Sequence, residues 1–172
     1  MTSYMNVAAL LPAYTATHHP GISAAMNGVL IAAYQVTFFF MSPLIGAHMG
    51  RLGRKNCIAY GVVMLTISTA MFALAALFTD PKVFWSVSFV ARCLQGAADG
   101  IAYIPLTAII SIEFPERPEV YQAYVTMSLG LGCAIGPALA AIVIRWFGYM
   151  GTNLFFAALI FVIGFAGIYV LP

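Results

Sequence analysis

Charge is what this 172-residue sequence has least of: seven Lys plus Arg and five Asp plus Glu, 7% of the chain, against roughly 25% in an ordinary soluble domain. A water-facing surface cannot be assembled from so few charges, and a formal net charge of +2 gives no signal for nucleic acid or for acidic partners. Cysteine is nearly as scarce. Cys57, Cys93 and Cys133 stand singly in apolar stretches, with no CxxC or Cys/His spacing, which argues against a disulfide framework or a metal site; each is expected to be a small buried hydrophobe. The start of the chain lacks a basic segment, and its apolar run is broken by polar residues and Pro12, so no cleavable signal peptide is expected. There is no nucleotide loop, no nucleophile beside a base and no pair of carboxylates suited to hydrolysis, so neither an enzyme nor a bound cofactor is expected.

What is present is hydrophobic sequence, 63% of the chain, in runs long enough to cross a bilayer. A spanning helix needs about 20 mainly apolar residues, because the hydrocarbon core is about 30 Å thick and each residue rises about 1.5 Å. Five runs qualify, at residues 22–47, 56–78, 83–112, 121–144 and 152–171. A sixth, residues 1–17, is clearly apolar only over 5–14 and reads as a partial first helix. The expected fold class is therefore an all-α integral membrane bundle of six helices with a shortened first one, a single unit over residues 1–172 whose short connections leave no room for a soluble domain. If the spans alternate, Arg51, Arg54, Lys55 and Arg117 share one side of the membrane, against Lys82 and Arg145 on the other. The positive-inside rule then turns the Arg51, Arg54 and Lys55 connection to the cytoplasm.

Three stretches carry more than apolarity. Between the second and third spans runs Gly46-Ala-His-Met-Gly50-Arg51-Leu-Gly53-Arg54-Lys55. Glycines there permit a turn too tight for side chains, and the cations suit lipid phosphates and a helix C-terminal dipole; a plain basic loop accounts for the charge but not for the glycine spacing. On the fourth span, Arg92, Gln95, Asp99 and Tyr103 fall in one narrow sector at about 100° per residue. A charge at membrane depth costs at least about 2.5 kcal/mol and usually faces a bundle interior or a water-filled cavity. That stripe therefore reads as a cavity wall or, alternatively, as a structural pin between helices. On the fifth span, Ser128, Gly132, Gly136 and Ala140 recur every four residues, a groove for a neighbouring backbone, and Pro137 permits a bend; ordinary helix packing gives the same periodicity.

Weaker clues are Asn27 and Gln35, two helical turns apart, with Tyr34 beside Gln35. They are candidate solute contacts or simple interhelix hydrogen bonds. The last span is apolar all round after Asn153, which fits a lipid-exposed position.

These motifs carry a resemblance. The glycine and basic stretch is similar to the signature loop of the major facilitator superfamily, with Gly50 where the family usually has an Asp that helps latch the two halves of the transporter. Arg92 followed by Gln95-Gly96 is similar to a fourth-helix motif linked to proton coupling, of which Asp99 is not a part. Gly132, three residues, then Gly136-Pro137 resembles the antiporter motif of drug and vesicular amine exporters, although Ala140 and Ala141 replace its closing glycines. The chain most resembles the N-terminal half of the vesicular amine transporter-like branch. The resemblance implies proton-coupled antiport of cationic or drug-like organic solutes by two six-helix halves with the solute bound between them. The implied partners are the lipid bilayer, a small organic solute with protons, and a second half that continues this chain or pairs with it. The alternative is a non-transporting structural subunit of a larger membrane complex.

Overall fold

The computed structural model describes residues 11–12, 14–18 and 21–170. Most of the expected partial span 1–17 lies outside these residues; residues 11–12 and 14–18 are helical. Four further helices follow: α1 (Ala24–Leu52), α2 (Arg54–Ala75), α3 (Pro81–Glu113) and α4 (Pro118–Val170). Each is long and apolar enough to cross a membrane, and a bilayer leaves the backbone little alternative, since a helix satisfies its polar groups within the segment.

Local chemistry fixes where the helices begin and end. Ser23 caps α1, its hydroxyl accepting from the Met26 N–H at 3.2 Å. Asp80 caps α3, accepting from the Lys82 N–H at 2.9 Å, and Pro81 occupies the first helical position, where its missing N–H costs nothing. The α3 helix stops at Phe114, the residue before Pro115, because the proline ring disfavours helical backbone in the residue that precedes it.

Two connections differ from expectation. The connection expected between the spans 22–47 and 56–78 narrows to a single residue. Gly46 and Gly50 lie inside α1 with open space around them, and Gly53 alone, at φ 82°, turns the chain into α2. The connection expected between the spans 121–144 and 152–171 is likewise a break at Gly148 (φ 64°, ψ −173°), so α4 is two helices joined at that kink. That backbone region is open essentially to glycine alone.

The α3 helix is the centre of the bundle, packed along α1 on one side and α2 on another, while α4 lies mainly against α2. Within lipid there is no hydrophobic drive between helices, so close approach through small residues decides the packing. A Cβ added at Gly96 would overlap the backbone carbonyl of Tyr34 on α1. One added at Gly61 of α2 would stand 2.7 Å from the Ala102 N and 2.9 Å from the Ala98 O on α3. Gly96 and Gly61 therefore let two helices lie directly on α3. At the end of the bundle away from Gly53, Leu11, Leu30, Phe72, Phe84 and Tyr149 form the apolar core.

Candidate functional site

Those close approaches bring the polar stripe of α3 against α1 and α2. Arg92 is fully buried, and its Nη1 donates to Gln95 Oε1 at 2.9 Å. Gln95 Nε2 donates in turn to Thr69 Oγ1 on α2 at 3.4 Å, and the Thr69 hydroxyl donates to the Leu65 carbonyl at 2.8 Å. The guanidinium lies over two rings, 5.5 Å from the centroid of Phe72 and 6.0 Å from that of Tyr34. Such faces stabilise a desolvated cation by about 0.5–2 kcal/mol.

Two helical turns along α3, Asp99 accepts a hydrogen bond from the Tyr34 hydroxyl. Tyr34 thus joins the two charges of the stripe, with its ring at Arg92 and its hydroxyl on Asp99. Asp99 is half-buried, and with Tyr103 it lines a cavity of about 340 Å³ whose other walls are apolar, including Val62, Leu106 and Ile163. Tyr103 also packs at 6.3 Å from the Phe38 ring. The stripe therefore has two environments. Arg92 and Gln95 are sealed in the bundle, whereas Asp99 and Tyr103 border open space.

The remaining candidates separate. Asn27 is buried and its Nδ2 donates to Thr15 Oγ1 at 2.8 Å, tying α1 to the N-terminal helical segment. Gln35 is exposed and lines a different groove on α1 with Val36, Phe39 and Pro43. Asn27 and Gln35 therefore do not share a cavity: eight residues rotate the helix by about 80° beyond two full turns. Tyr34, the neighbour of Gln35, belongs to the stripe.

In the basic turn, Arg51 sits in the last turn of α1, where the dipole favours it, but Arg54 and Lys55 open α2, where it does not. Their position follows from the one-residue turn at Gly53. On α4, Gly136 and Ala140 are buried, Gly132 and Pro137 are half-buried and Ser128 is exposed, so the small-residue series faces inward over only part of its length. Cys57 is buried, and Cys93 and Cys133 are half-buried.

Thr69, Phe72 and Ser88, all nearly or fully inaccessible, were not legible as site residues. A lone Thr or Phe in an apolar span carries no sign of which helix it will meet. Ser88 had a signal, since it lies one turn before Arg92 on the same face of α3.

Comparison with known proteins points the same way. The chain is 22% identical over 152 residues to the MFS-type transporter SLC18B1 of Mus musculus, an alignment covering 88% of this chain and 33% of that protein. It is 25% identical over 120 residues to the quinolone resistance protein NorA of Staphylococcus aureus, covering 69% of this chain and 29% of that protein. The chain spans about a third of the length of these relatives. A family model, Major Facilitator Superfamily, matches residues 1–172. Apolar helices packed through glycines around a buried Arg92, together with that match over the whole sequence, make this a multi-pass integral membrane protein that belongs to the Major Facilitator Superfamily.

Proposed function

We propose that this chain forms one wall of a proton-coupled antiporter for cationic or drug-like organic solutes. The opposing wall comes from a second six-helix half, on the same polypeptide or on a partner chain. The basic turn around Gly53 then faces the cytoplasm. The observation that carries the reading is Asp99, a carboxylate held by the Tyr34 hydroxyl at the edge of an otherwise apolar cavity, two helical turns from a buried arginine on the same helix. A carboxylate there can be neutralised either by a proton or by a cationic solute, but not by both at once, and that exclusion is the minimum requirement of an exchanger. Arg92 keeps the carboxylate's charge state coupled to the packing of α1 and α2, because Tyr34 touches both residues. The activity is transport across the membrane, not catalysis of a reaction.

The test is solute uptake into sealed vesicles with and without an imposed pH gradient. Asp99→Asn keeps the shape and can still accept from Tyr34, so it should abolish accumulation driven by the gradient while leaving passive exchange. If Asp99→Asn accumulates solute as well as the parent, the stripe is a pin between helices. A structural membrane subunit then becomes the better reading, which the complete burial of Arg92 and Gln95 also favours.

A further inference from the structure

The cavity beside Asp99 lies among three elements of this one chain. Ile58 and Val62 come from α2, Asp99 and Tyr103 from α3, and Gly164 and Gly167 from the part of α4 after Gly148. A Cβ at Gly164 would overlap the Val62 side chain, so α2 and α4 are in direct contact along one edge of the space. Asp99 carries the only charge among the lining residues. Chain order sets the direction of the cavity. From Asp99, α3 runs toward Glu113 and the face that also bears Gly53, and Ile58 stands near the start of α2 on that same side. The carboxylate is thus at the inner end, and hydrocarbon fills the walls toward Gly53. At about 340 Å³ the space is near the lower end of the roughly 300–1,000 Å³ of small-molecule sites.

We propose that this cavity is a binding site for a lipophilic monocation, held inside this half rather than in the crevice between two halves. The inference rests on the antiport reading and narrows its solute to one ammonium group on one apolar body. The lining selects that occupant against three others. A lipid acyl chain would leave the carboxylate facing hydrocarbon, an expensive placement at membrane depth. A bare divalent ion needs about six or more oxygen ligands, and no cluster of three His, Cys, Asp or Glu able to hold a metal occurs among the described residues. A dication would carry its second charge to Ile58 and Leu106, where no lining residue neutralises it. A monocation meets the carboxylate and the aromatic wall of Tyr103 at one end, and its apolar body lies against the apolar lining.

The probe is octyltrimethylammonium, whose charge does not vary with pH. Its equilibrium binding to the intact protein in lipid nanodiscs is measured with no gradient and corrected for empty nanodiscs. Asp99→Asn should weaken binding at least about tenfold, because a contact between opposite charges is lost. Gly167→Leu should do the same by filling the hydrocarbon end. A Cβ there meets nothing within 4 Å, so the side chain occupies the cavity and not a neighbour. The same alkyl chain with trimethylammonium at both ends should bind the parent at least about tenfold more weakly than the monocation. Unchanged binding in either variant, or equal binding of monocation and dication, overturns the site. The dication comparison uses the parent alone and so stands even if a variant does not fold. A failure of antiport reads differently. Probe binding as expected, with no gradient-driven uptake by the parent, removes the antiport and leaves the site. Gradient-driven uptake with probe binding unmoved by Gly167→Leu does the reverse, and the solute then sits between the halves.

Discussion

The α3 helix, with 33 residues, and α4, two helices joined at Gly148 with 53 residues in all, differ in the sense opposite to their apolarity. The α4 helix is the more hydropathic and is largely exposed, with large side chains such as Leu131, Trp146 and Val162 uncovered. The α3 helix is less hydropathic, contains an Arg, a Gln and an Asp, and holds the centre. In water the ranking would be reversed. In lipid an apolar face gains nothing by leaving the surface, while a polar group gains a partner and a glycine admits a backbone. Position in this bundle is set by the few residues that are not large and apolar.

The strongest way to break that contrast is Gly96→Leu on α3. A side chain there would collide with the Tyr34 carbonyl and crowd the Phe38 N, 3.2 Å from the added Cβ, and neither backbone atom can yield without moving α1. The expected result is loss of folded, monodisperse protein on size-exclusion chromatography in detergent. The same change at Gly130 of α4, where a Cβ meets nothing within 4 Å, should leave the elution profile unaltered. Equal behaviour of the two variants would mean that α3 is not the centre.

A smaller effect is expected for Tyr34→Phe, which sharpens the contrast by keeping the ring on Arg92 and removing the bond to Asp99. A hydrogen bond to a charged group contributes about 1.5–3 kcal/mol, and the half-exposed position of Asp99 favours the low end. The readouts are thermal stability in detergent and, in vesicles, gradient-driven uptake, both of which should fall. An unchanged Tm with unchanged uptake would separate Tyr34 from the site.

The sequence made the apolar spans, the helix-spaced stripe and the basic turn legible, because length, a period of 3.6 and charge are local properties. The stripe could be grouped as Arg92, Gln95, Asp99 and Tyr103 from spacing alone. Its division into a sealed half and a cavity-lining half could not, since that depends on Tyr34, Thr69 and Phe72 arriving from other helices. Which residue makes each turn is not legible for a related reason. Gly46, Gly50, Gly53 and Gly148 look alike in sequence, yet only the last two take positive φ. Which glycine bends is decided by where the flanking helices must go.

The finest distinction lies within α4, where Gly164 and Gly167 are one turn apart. A Cβ at Gly164 would overlap the Val62 side chain on α2, while one at Gly167 has open space and would only narrow the cavity that Asp99 lines. Replacing a helical glycine by alanine gains about 0.5–1 kcal/mol where nothing obstructs it, because the unfolded chain loses freedom and the helix does not. Gly167→Ala should therefore raise Tm slightly. Gly164→Ala should lower it, because valine has few rotamers with which to move aside. Solute uptake offers a second discriminator, since the methyl at residue 167 encroaches on the cavity and should weaken solute affinity without loss of stability. If both variants shift Tm by the same amount in the same direction, the contact between α2 and α4 at Val62 does not form in the membrane. The last span would then be free of the bundle on every side.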